Sequence, residues 1–213
     1  MRPRPLPPTA EAITALPPFT PLTLDHIHVP VTAAEFAQAA AEISRHAYVG
    51  FDTESKPTFL KGEASTGPHV VQFATAERAW LLQVNNPASR EAIAALLGST
   101  ATVKVGFGLK SDRSHIRARL GAPLRAVLDL TAWFRQEGYR NEIGVKTAVA
   151  IVLGQQFSKS KRMSTSNWSL ATLSAGQQVY AANDAYGAIA VFNALNAGEA
   201  GAAARWPITG LDD

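Results

Sequence analysis

The chain has 213 residues, 46% hydrophobic and 17% charged, which is room for one domain with a sizeable core and at most a tail. The absence of cysteine excludes a disulfide framework and a thiolate zinc site, and no run of about 18 apolar residues exists to span a membrane. The formal net charge is only +3, but twelve Lys/Arg face four Asp/Glu between Lys104 and Trp168, so this third carries +8 and the remainder is net negative.

Residues 1–22 hold seven of the thirteen prolines and little periodic hydrophobicity, which predicts an extended, mobile arm. Arg2 and Arg4 have no continuous apolar stretch behind them, so no secretory signal is read and a cytoplasmic protein is expected. A domain is expected over 23–197 and a tail over 198–213. Leu24 to Val31 suits a short strand or docking segment. Thr32 with Glu35 three residues on has capping-box spacing and predicts a helix to about His46.

Tyr48 to Glu54 predicts a buried strand, and a loop rich in Lys, Gly and Pro follows. Val70–Thr75 and Ala79–Val84 read as an antiparallel hairpin. A helix over Ser89–Leu97 precedes a strand at Thr102–Val105, the turn Gly106-Phe107-Gly108 and a helix over Leu109–Leu120. Ala126–Leu130 predicts one more strand, with helical segments near Thr131–Glu137 and Gly144–Leu153. A polar loop over Gln155–Ser166 leads to a long helix, capped by Ser174 with Gln177 at the capping-box position and running to about Leu195. This order implies one α/β domain: a mixed sheet, an antiparallel meander joined to parallel strands, covered by helices.

Four carboxylates stand out. Asp52 and Glu54 are two apart at the end of a strand and therefore emerge on one face. Two anions so close repel, and burying them costs free energy unless a positive group lies between them. Asp112 lies in the first turn of the helix after Gly106-Phe107-Gly108, where strand-to-helix turns face ligand crevices. Asp184 lies mid-helix among alanines that permit close approach to a sheet, with Tyr180 one turn before on the same face. Oxygen donors alone, with no cysteine and no paired histidines, point to Mg²⁺ or Mn²⁺.

The segments Gly50-Phe51-Asp52-Thr53-Glu54, Lys104-Val105-Gly106-Phe107-Gly108-Leu109-Lys110-Ser111-Asp112, Ser166-Asn167-Trp168-Ser169 and Gln178-Val179-Tyr180-Ala181-Ala182-Asn183-Asp184 resemble the 3′–5′ exonucleases of the DEDD superfamily. The resemblance covers about residues 45–196 and is closest to the branch of RNase D and the Werner helicase exonuclease domain. It implies a ribonuclease-H-like fold. The four family acids fall on Asp52, Glu54, Asp112 and Asp184. Tyr180 occupies the position that marks the tyrosine branch, whereas the histidine branch would have His where Val179 stands.

What the resemblance implies for chemistry is hydrolysis of nucleic-acid 3′ ends, DNA or RNA, single-stranded or recessed, to nucleoside 5′-monophosphates. Two divalent cations would be held by the four acids. Tyr180 would orient the attacking water, since a phenol with pKa about 10 is a poor base at pH 7. Nucleic-acid contacts are expected from Thr53, Phe107, Lys110, Arg113, Lys161, Arg162, Asn167 and Trp168, in a surface whose basic excess suits phosphate backbones. No membrane partner is expected. A second reading, an inactive nucleic-acid-binding module of the same fold, requires loss of one of the five polar positions, and none is replaced.

Overall fold

A computed structural model describes residues 5–58, 65–197 and 206–210. The first four residues of the expected arm, the middle of the 55–68 loop and most of the expected tail lie outside them. In chain order the elements are α1 (Ala10–Thr14), β1 (Ile27–His28), α2 (Ala33–Ile43), β2 (Tyr48–Glu54), β3 (Val70–Ala74), β4 (Ala79–Gln83), α3 (Arg90–Gly98), β5 (Val103–Gly106), α4 (Lys110–Leu120), β6 (Val127–Asp129), α5 (Leu130–Gln136), α6 (Val145–Leu153), α7 (Lys161–Ser164) and α8 (Ala175–Asn196). Both expected capping boxes form: Thr32 Oγ1 accepts from Glu35 N and Ser174 Oγ from Gln177 N, each at 3.3 Å, with the Glu35 and Gln177 side chains reaching back. Among the described residues no helix is long and apolar enough to cross a membrane.

The six strands form one sheet in the order β1-β4-β3-β2-β5-β6. β2, β3 and β4 make the antiparallel meander, while β5 and β6 run parallel to β2. Alternation along β2 divides its side chains between two cores. Val49 and Phe51 join α2, α3 and α4 on one face, whereas Tyr48 packs with the α6 and α8 core on the other. Gly50 belongs to this second face: a Cβ there would stand 2.0 Å from the Ala185 carbonyl oxygen. The missing side chain therefore lets α8 lie directly on β2, one residue from Asp184.

Lys104 does not belong to the basic surface its position suggested. It is fully buried in β5, with Nζ donating to the Leu96, Ser99 and Thr102 carbonyls at 3.2, 2.6 and 2.9 Å. It thereby ties the end of α3 to the sheet, where helix carbonyls lack intrahelical donors. Burial lowers its pKa to about 8. The unfolded chain thus holds this proton to higher pH than the folded one, so the group's contribution makes stability rise between about pH 8 and the ordinary lysine value. Lys104→Met is expected to lower Tm at pH 7, because three acceptors lose their donor, and to abolish that rise. Matching Tm–pH curves for the two proteins would contradict this.

The two chain ends are docked. The expected mobile arm instead carries α1, capped by Thr9, and then lies along α6 and α8. Phe19 N donates to Gln156 O at 2.9 Å and Gln156 N to Pro17 O at 2.8 Å. The Asn183 amide clasps Leu22, accepting from its N at 2.8 Å and donating to its O at 3.1 Å. These bonds satisfy an arm that cannot form a ladder through its prolines. At the other end Thr209 exchanges two 2.9 Å backbone bonds with Val127 of β6, and buried Trp206 packs against Trp133 and Phe192.

Candidate metal and active site

Asp52 and Glu54 leave β2 on the face covered by α8, and Asp184 projects from α8 toward them. One carboxylate oxygen from each lies within 4.8 Å of the others. Asp184 is only 3% exposed. Burial, followed by the nearby Asp184 and Asp112 charges, pushes the Asp52 carboxyl up to about 8. Burial and the neighbouring Asp52 and Asp184 push Glu54 up to about 9. Burial also raises Asp184, against the pull of Lys159. Three carboxylates that resist ionisation together form an oxygen-only donor set suited to a hard divalent cation. Asp184 Oδ1 accepts no hydrogen bond among the described residues, which leaves a lone pair available for such an ion.

Asp112 is not gathered into this group. Thr53 points to the opposite face of β2, and its hydroxyl donates to Asp112 Oδ1 on α4. The Thr53 backbone N–H donates to Asp52 Oδ1 at 2.8 Å. Thr53 thus links the two acids instead of facing open solvent as a nucleic-acid contact. Asp112 is also raised by burial, with Thr53 opposing. Its placement depends on Asp129, whose two oxygens accept from Gly108 N and Leu109 N at 3.1 and 3.0 Å and fix the turn at left-handed Gly108. The sequence reading missed Asp129, and its position as cap of α5 was the available signal.

Tyr180 is 8% exposed, and its hydroxyl pKa is pushed above the tyrosine range, first by burial and then by Asp184. Lys159 was also missed as a site residue. Its Nζ lies 2.8 Å from Asp184 Oδ2 and 5.4 Å from the Tyr180 ring centre. Burial opposes its charge, but Asp184 and Asp52 hold the ammonium above the usual lysine range. A spacing-based reading had no means of separating it from Lys161 and Arg162, which are exposed on α7.

Trp168 does not stack on a base from this position. It is fully buried, and its ring lies 5.9 Å from Tyr180, so it braces the phenol from behind. Asn167 is exposed, with Oδ1 closing a local turn onto Ser169 N and Oγ at 3.1 and 2.7 Å. Gln177 donates to the Ser166 hydroxyl and the Asn167 carbonyl, both at 3.1 Å, which anchors this segment to α8. Phe107 is half-buried, stacks with Phe134 at 6.4 Å and borders a cavity of about 230 Å³ with Asp52, Lys159 and Asp184. Glu142, also absent from the expected set, lies on the same cavity. Lys110 and Arg113 are exposed on α4, and Arg113 donates to Thr209 Oγ1 at 2.9 Å.

Comparison with known proteins agrees with this geometry. Residues 27–198 match the model of the 3′–5′ exonuclease family. Mouse bifunctional 3′–5′ exonuclease/ATP-dependent helicase WRN is 28% identical over 150 residues, 69% of this chain and 11% of that protein. This chain therefore spans about a tenth of that relative's length. The Nibbler EXO domain of Aedes aegypti superposes with TM-score 0.70 at 21% identity, covering 84% of this chain and 91% of that one. Trypanosoma brucei RNase D in complex with RNA U12 superposes with TM-score 0.70 at 18% identity, covering 89% and 65%. The fold is the ribonuclease-H-like one that the motifs implied. With 27–198 matched and the six-stranded mixed sheet in place, the chain belongs to the 3′–5′ exonuclease family, within the DEDD superfamily.

Proposed function

We propose that the protein is a divalent-metal-dependent exonuclease that shortens nucleic acid, DNA or RNA, from its 3′ end and releases nucleoside 5′-monophosphates. The observation that carries this reading is the convergence of Asp52, Glu54 and Asp184 within 4.8 Å beside Tyr180, in a chain of this family. Asp52, Glu54 and Asp184, with Asp112 in support, would hold two Mg²⁺ or Mn²⁺ ions, which supply Lewis-acid stabilisation of the attacking and leaving oxygens of an in-line displacement. Tyr180 orients the attacking water through its hydroxyl. A phenol held this far into its neutral form is a donor and not a base at pH 7. Thr53 keeps Asp112 and Asp52 in fixed relation. Lys159 offers its ammonium to the carboxylates and to an incoming phosphate. The RNA in the complex of the T. brucei relative supports RNA as one substrate class. Lys110, Lys161 and Arg162 are the exposed cations we assign to the phosphate backbone.

The test is a 5′-labelled oligonucleotide incubated with protein and Mg²⁺ or Mn²⁺, with and without excess chelator. A descending one-nucleotide ladder that chelator abolishes is expected. Tight binding without shortening would overturn the enzyme in favour of a binding module. A second expected result concerns charge. Lys159→Met should lower Tm in metal-free buffer, because Asp184 loses its counter-ion, and should enlarge the Tm rise that Mn²⁺ produces. Equal Mn²⁺-induced shifts in both proteins would contradict the role given to Lys159.

A further inference from the structure

Beside the acid cluster lies a second cavity, about 430 Å³ in volume, that the chemistry above does not use. Its walls include Phe19, Phe157, Met163 and Val179, and it reaches Tyr180 and Asp184. That size is within the range of small-ligand sites, and the lining is their usual mixture of apolar surface with a few polar groups. One wall comes from outside the family domain: Phe19 precedes the matched residues 27–198. It is held there by the backbone exchange with Gln156 and by the Asn183 clasp on Leu22, and its ring sits 5.4 Å from both Phe157 and Tyr186. The docked arm thus completes a half-buried aromatic surface next to the reacting centre.

We infer that this cavity receives the nucleobase of a nucleotide adjoining the scissile phosphodiester, with Phe19 as its stacking wall. This rests on the exonuclease reading above. Three observations favour a base over another occupant. The cavity shares Tyr180 and Asp184 with the site where the phosphodiester must lie, so a substrate held there has a base within reach. Aromatic rings accept any base by its π face, as a sequence-tolerant exonuclease requires. The adjoining segment carries Lys161 and Arg162 exposed, with Met163 of the same short helix lining the cavity, so cations for phosphate stand beside an apolar slot for a base. Ser158 and Ser160 on the rim offer hydroxyls to base edges without selecting one base.

The experiment compares 5′-labelled oligonucleotides that are intact or carry one abasic residue at the 3′-terminal or the penultimate position. Steady-state turnover is measured for the wild type, Phe19→Ala and Phe19→Leu. For the wild type, one of the two abasic positions should raise KM about tenfold, the scale of a single base–aromatic stack. Phe19→Ala should raise KM about tenfold on the intact strand and lose most of the abasic penalty, with kcat held within about threefold. Where Phe19→Ala does not fold, as judged by its melting transition, Phe19→Leu keeps the apolar bulk without the ring and carries the same comparison. Wild-type KM indifferent to both abasic positions, or an abasic penalty undiminished in the folded variant, would overturn the cavity assignment while leaving the exonuclease intact. A wild type that shortens no strand at all would overturn both.

Discussion

Asp52→Asn is expected to abolish strand shortening and, in metal-free buffer, to make the protein more stable. The two effects have one cause. Asp52 lies within reach of the Glu54 and Asp184 carboxylates, and burial together with their charges holds its pKa near 8. The amide is almost the same shape and carries no charge, so the repulsion that the folded state stores at this point is relieved. The same change removes an anionic ligand from the proposed ion site, and transition-state stabilisation by such ions amounts to several kcal/mol. Since each 1.4 kcal/mol is a tenfold change in rate, the loss should be about a thousandfold or more. Turnover and metal-free Tm measured on the same preparation check both halves. A variant that melts lower than the wild type without metal, or that retains activity within tenfold, would contradict the assigned electrostatics.

Gly50→Ala is expected to disable the site through the backbone alone. The added methyl would stand 2.0 Å from the Ala185 carbonyl oxygen and 3.2 Å from Ile189 Cβ, and neither neighbour is the free end of a flexible chain. α8 must therefore lift from β2. Asp184 precedes Ala185 on that helix, so the lift separates it from Asp52 and Glu54. Overpacking of this kind costs about 1–3 kcal/mol, and a displacement of about 1 Å at a reacting centre can cost a hundredfold in rate. A lowered Tm together with a weakened response of Tm to Mn²⁺ is expected. Wild-type stability and Mn²⁺ response would show that the helix–strand approach does not set the site.

Most of the frame was legible because local signals and long-range packing agree. The strand Tyr48–Glu54, the hairpin, the two capping boxes and the long last helix stand where periodicity and capping chemistry put them. The acids of β2 and α8 were legible for the same reason: strand alternation and helix spacing fix which face each occupies. Asp112 was less so. Its distance from the other three depends on Thr53 and on Asp129 holding the Gly108 turn, which are contacts between segments far apart in the chain. The same limit explains Lys104, counted with the basic residues although three carbonyls at the α3 end draw it into the core. Proline content suggested a free arm, since proline removes backbone donors. Here Gln156 and Asn183 supply partners for those that remain. Trp168 illustrates an ambiguity that sequence cannot resolve, because a large aromatic beside a site can brace it or stack on a ligand. The packing against Tyr180 decides for bracing.

The most direct measurement is an anomalous difference map from crystals soaked in Mn²⁺. A peak within about 2.0–2.6 Å of Asp52, Glu54 and Asp184 oxygens is expected, and it should vanish in Asp52→Asn crystals treated identically. Ordered density for all three carboxylates with no peak among them at saturating Mn²⁺ would contradict the account.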